Sequence, residues 1–148
     1  MHLITLAGLV TIEKIQLAID LAQYYSQAGQ RVTVLDNIAR LRIDPVHLSG
    51  ETLLQMAGDA VGALAGLLPT LAADVVLFAA SESAEPEALF TALAELDPSI
   101  QTTTLALLDL RTCDCFPHLR QTLEQHADYV IHMPYSLEGL KCLPKLGL

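Results

Sequence analysis

Residues 2–36 read HLITLAGLVTIEKIQLAIDLAQYYSQAGQRVTVLD. His2–Ala7 is an apolar run short enough to be a strand. From Thr11 to Ala28, Ile12, Ile15, Ala18, Ile19, Ala22 and Tyr25 recur at helical spacing. Thr11 suits an N-cap, and Gly29 stands where a helix end favours a residue free to adopt positive φ. Arg31–Asp36 is β-branched and apolar and predicts a second strand. Strands made of continuous Val, Ile and Leu are those of parallel sheets covered on both faces.

The alternation continues along the chain. Asn37–Pro45 reads as a loop carrying Arg40 and Arg42. A helix is expected from Ser49 or Gly50 to about Leu68, then a strand over Asp74–Ala80. Glu85–Leu96 predicts a helix with Pro86 in its first turn, where proline is tolerated. A strand over Thr102–Leu110, a helix over Pro117–His126, a strand over Asp128–Met133 and a closing helix over Ser136–Leu143 follow. The expected architecture is one α/β domain over residues 1–148. It is a three-layer, doubly wound α/β/α arrangement with about five mainly parallel strands. Val61–Ala80 is long and apolar enough to raise a membrane span. Pro69 and Asp74 interrupt it, so a buried helix followed by a buried strand is expected instead.

The 148 residues include 8 basic and 17 acidic side chains, for a net charge of −9; 52% are apolar and 17% charged. That apolar share excludes disorder for the bulk of the chain. The negative charge disfavours general nucleic-acid binding and docking on anionic membranes. Met1–Leu6 shows no basic segment of the kind that opens a signal peptide. Three cysteines, an odd number, make no disulfide framework. A cytoplasmic protein is expected.

Open parallel sheets bind ligands at the carboxyl ends of their strands. The first such loop reads Gly8-Leu9-Val10-Thr11-Ile12-Glu13-Lys14-Ile15. Set against the phosphate-loop pattern G-x-x-x-x-G-K-[ST], Gly8 and Lys14 match; Glu13 replaces the second glycine and Ile15 the hydroxyl residue. Residues 14–36, KIQLAIDLAQYYSQAGQRVTVLD, resemble the first helix and second strand of the MinD/ParA-type P-loop ATPases. Residues 127–140, ADYVIHMPYSLEGL, are similar to a late strand and helix of that family. The resemblance implies a P-loop fold and a nucleotide site built on Gly8, Lys14 and Asp36. It also implies what this chain has lost. The family's second lysine falls on Leu9, and its central glycines on Val10 and Thr11. Glu13 would set a carboxylate beside a phosphate, and Ile15 has no oxygen to offer magnesium. The expected loop is a degenerate one that has shed phosphoryl transfer.

Three further groups stand out. Cys113, Cys115 and His118 follow the fourth predicted strand and could ligate a metal, with Cys142, His126 or His132 completing the set. A short Cys-x-Cys is also the pattern of two ordinary loop residues. Gly58, Gly62 and Gly66 fall four apart in the predicted helix after Ser49. They predict a smooth face for packing or for an interface with a like or unlike subunit. Arg40 and Arg42 at the ligand edge could meet an anion or an acidic surface, or be solvated. Asp109 reads as a strand-terminal residue.

The expected function is that of a non-catalytic, P-loop-like protein. It would act through protein–protein contacts as a regulatory or scaffolding subunit in a homo- or hetero-oligomer, with a true ATPase as one candidate partner and no cofactor of its own. One alternative is a nucleotide-binding switch or weak ATPase holding ATP or GTP with Lys14. The other is a small metal or redox protein using Cys113 and Cys115.

Overall fold

The computed structural model describes residues 1–110 and 115–148. Strand β1 spans His2–Ala7, helix α1 Thr11–Gln27, β2 Val32–Asp36 and β3 Thr52–Gln55. Helix α2 spans Leu64–Leu67, β4 Val75–Ala79, α3 Pro86–Ala94 and β5 Gln101–Leu108. Helix α4 spans Pro117–His126, β6 Tyr129–His132 and α5 Leu137–Lys141. Among the described residues the strands form one sheet of six, ordered β3-β2-β4-β1-β5-β6, and every neighbouring pair is parallel.

Alternation of side chains along each strand builds two cores, because successive residues face opposite sides of a sheet. Ile4, Leu6, Val34, Val75, Leu77, Leu105 and Leu107 meet Leu17, Ala18, Leu21, Ala22 and Tyr25 of α1, together with Leu140 of α5. Leu3, Leu35, Val76, Phe78, Ala106 and Leu108 meet Leu64, Leu89, Leu93 and Leu123 on the other side. The three-layer α/β/α prediction holds. The Tyr25 hydroxyl donates to the Leu146 carbonyl, and the Lys145 amide donates to the Tyr129 hydroxyl at 3.1 Å, so residues 144–146 are pinned over the first core.

Two expectations need correction. Among the described residues the sheet has six strands, in keeping with the about five expected, but β3 lies where a helix was expected from Ser49 to Leu68. Gly50 (φ +148°) and Gly58 (φ +68°) bracket a short extended run. Thr33 to Asp36 of β2 pair with Thr52 to Gln55, and this satisfies peptide groups that an unpaired edge would leave open. Helical structure resumes only as short turns over Val61–Thr70. Gly58, Gly62 and Gly66 therefore share no helix face. Gly58 lies in a turn, Gly62 in a single 3-10 turn and Gly66 in α2. A Cβ at Gly58 or Gly66 would meet nothing within 4 Å, so neither is held small by close packing. The glycine interface loses the helix it was drawn on. Among the described residues, no helix is long and apolar enough to cross a membrane.

Registers bring the carboxyl ends level. Leu6 of β1 lies beside Ala79 of β4 and Leu105 of β5, and Ala79 lies beside Asp36 of β2. The loops after β1, β2 and β4 meet there.

Candidate functional site at the carboxyl edge

β1 leaves the sheet through Gly8, whose φ is +124°. An ideal Cβ at Gly8 would stand 2.4 Å from the Leu107 carbonyl oxygen, so both the conformation and the space exclude a side chain. Only Gly8, Leu9 and Val10 separate β1 from α1, which begins at Thr11. The Lys14 amide donates to the Val10 carbonyl at 3.0 Å, the first turn of an ordinary helix. Thr11, Ile12 and Glu13, where a phosphate loop would curl its amides around an anion, are already helical.

Lys14 follows from that early start. One helical turn inside α1, its side chain points down into the protein and is fully buried. Its ammonium donates to the Gly8 carbonyl at 2.6 Å and the Ala80 carbonyl at 2.8 Å. Burial lowers its pKa to about 8, against the opposing pull of the Glu82 carboxylate.

Glu82, in the loop after β4, is half-buried. Its Oε1 accepts from the Thr11 hydroxyl at 2.8 Å and its Oε2 from the Ala39 amide at 3.0 Å. Partial burial pushes its pKa up. Those two hydrogen bonds and the Lys14 charge outweigh that and hold it below the usual carboxylate range. The sequence pattern singles out no residue in this loop.

Asp36 is fully buried and turns into its own loop. It accepts from the Ile38 amide at 3.1 Å and the Ile43 amide at 2.7 Å. Arg42 donates to the carbonyls of Asp36 at 2.8 Å and Met56 at 2.7 Å, tying the ends of β2 and β3 together. Gly8, Lys14 and Asp36 thus lie at one edge, with all three engaged in holding the chain's own backbone. Arg40 instead lines a cleft of about 450 Å³ together with Val10, Ile12, Glu82, Asp109 and Phe116.

The expected metal set is not assembled among the described residues, where no group of three or more His, Cys, Asp or Glu side chains could hold an ion. Cys113 lies outside the described residues. Cys115, Cys142, His118 and His132 are exposed, and His126 lies against Phe90 with ring centroids 5.2 Å apart.

Solved structures of other proteins share this fold. The signal recognition particle 54 kDa protein of Aeropyrum pernix K1, in complex with GDP, superposes with a TM-score of 0.62 at 16% identity, over 98% of this chain and 38% of that one. The signal recognition particle receptor FtsY of Elizabethkingia anophelis, in complex with GDP, gives 0.54 at 14% identity, over 88% and 48%. FtsY of Mycoplasma mycoides gives 0.55 at 13% identity, over 89% and 51%. The chain has a P-loop NTPase-like fold. It spans about half or less of the length of these proteins. The P-loop fold implied by the MinD/ParA resemblance is therefore correct, but these neighbours belong to a different branch of P-loop NTPases. No family model and no curated protein matches the chain.

Proposed function

We propose that this protein is a P-loop-fold module that works by protein contact and does not turn over nucleotide. One observation carries the reading: α1 begins three residues before Lys14. The residues of a phosphate cradle are thereby spent as helix, and the lysine ammonium is spent on the carbonyls of Gly8 and Ala80. Reaching a phosphate would require breaking both bonds and remaking the first turn of α1. The protein-contact part is supported by exposed apolar side chains around this edge, with Ile12 69%, Leu41 50%, Leu110 83% and Phe116 46% accessible. Such a surface fits a regulatory or scaffolding subunit, and the cysteine usage fits the cytoplasm.

A second reading, a nucleotide-binding switch, is favoured by the fold comparisons, since two of the neighbours are complexes with GDP. The cleft beside the start of α1 is where such a ligand would lie.

Titration calorimetry of the protein with Mg-GDP, Mg-GTP and Mg-ATP separates the two. No heat of binding at millimolar nucleotide is expected. Saturable binding that disappears in Lys14→Met would establish the switch instead. Methionine is the replacement to use, because it keeps most of the buried volume.

A further inference from the structure

Glu82 meets an unusual set of groups for a loop carboxylate. One oxygen takes the hydroxyl of Thr11 at 2.8 Å, at the positive end of α1. The other takes the backbone amide of Ala39 at 3.0 Å, from the loop after β2. The fully buried Lys14 ammonium sits one turn along the same helix and contributes favourably to the Glu82 charge. A helix start, a hydroxyl, a backbone amide and a lysine are the donors that proteins present to phosphate oxygens. Here a side chain of the same molecule already takes the hydroxyl and the amide beside the lysine charge, and in doing so it joins the start of α1 to the loops after β2 and β4.

We propose that Glu82 is an internal oxyanion that plugs the phosphate edge of this fold, an autoinhibitory contact that keeps small oxyanions and phosphoesters away from the start of α1. The proposal rests on the reading above, in which this edge does not serve turnover. With the carboxylate removed, the Thr11 hydroxyl and the Ala39 amide lose their acceptor and the Lys14 charge loses its neighbouring anion, and a free oxyanion of similar size takes the vacated place while Lys14 keeps its bonds to Gly8 and Ala80.

The test compares Tm in sodium phosphate and in sodium chloride at matched ionic strength. The proteins are the wild type, Glu82→Ala, Glu82→Gln and the double variant Glu82→Ala, Lys14→Met. Glu82→Ala should melt lower than wild type in chloride and recover by several degrees in phosphate. Wild type and Glu82→Gln, whose sites remain filled, should show no phosphate-specific rise. The double variant should lose the recovery, because the ammonium that draws the anion is gone. If Glu82→Ala does not fold in chloride, the yield of folded protein on refolding in phosphate reads the same recovery. Phosphate raising wild type as much as Glu82→Ala, or raising neither beyond chloride, overturns the plug. Nucleotide binding by the wild type is read in a separate titration. It would overturn the functional reading, whereas absent phosphate recovery with a nucleotide-blind wild type overturns the plug alone.

Discussion

The ammonium of Lys14 is hydrogen-bonded to the carbonyl of Ala80, 66 residues away, at 2.8 Å. With its second bond, to Gly8, it pins the start of α1 to the ends of β1 and β4. Lys14 is accordingly a structural residue, and its two truncations should separate. Lys14→Ala deletes the charge and the buried stem and leaves a cavity, at about 2–5 kcal/mol. Lys14→Met keeps the stem, relieves the burial of a charge and leaves two carbonyls without a donor, at about 1–2 kcal/mol. Urea unfolding checks this through the midpoint at unchanged slope. Equal losses in the two variants would show that the stem is not packed as described.

The same lysine makes stability depend on pH in a stated direction. Burial holds its pKa at about 8 in the folded protein, against 10.5 for the free side chain. Between those values the unfolded chain binds more protons, so the stability contributed by this group rises with pH. The burden of a buried charge is fully present below pH 8 and is relieved towards 10.5. Tyr25, raised to about 12 by burial and by neighbouring Tyr24, acts oppositely and removes stability above pH 10. The difference between wild type and Lys14→Met isolates the lysine. Wild type should gain about 3 kcal/mol on the variant from pH 7 to 10.5. Parallel stability curves for the two proteins would contradict the assignment.

Most of the sheet was legible because its strands are local signals. β1, β2 and β4 are dense apolar runs, β5 ends in one, and α1 carries an unbroken helical period. β3 was not legible. Leu53 and Leu54 fit a helix or a strand equally, and pairing with β2 decides between them. The site was legible in position and not in role. A motif marks Gly8 and Lys14 and the family resemblance marks Asp36, but the direction in which Lys14 points depends on where α1 begins. Glu82 left no local signature, since its partners Thr11 and Ala39 lie 71 and 43 residues away.

Asp36 offers a test of the loop that carries Arg40. Its two oxygens accept from the Ile38 and Ile43 amides inside a fully buried site. Asp36→Asn keeps the shape but turns an amide nitrogen towards one of those donors. The expected loss is about 2–3 kcal/mol, because one buried N–H is left unpaired. Hydrogen exchange should quicken at Ile38 and Ile43 ahead of the strands. Unchanged exchange at both amides would show that the carboxylate does not organise the loop.

Gly8 and Gly29 have the same kind of backbone conformation and different surroundings, which makes them a matched pair. Both have positive φ, +124° and +87°. A Cβ on Gly29, past the end of α1, would meet nothing within 4 Å, whereas one on Gly8 would meet the Leu107 carbonyl oxygen at 2.4 Å. Gly29→Ala therefore carries only conformational strain, about 1 kcal/mol. Gly8→Ala carries that strain and a clash with backbone of β5 that cannot swing aside, for a total of about 3 kcal/mol or more. Relief at Gly8 requires β1 and β5 to part at their carboxyl ends, which also moves the carbonyl that anchors Lys14. Gly8→Ala should therefore flatten the rise in stability between pH 8 and 10.5, and Gly29→Ala should leave it intact. Urea midpoints of both variants across that range check the pair. Equal losses, or an unaltered pH response in Gly8→Ala, would sever the link between the exit of β1 and the buried lysine.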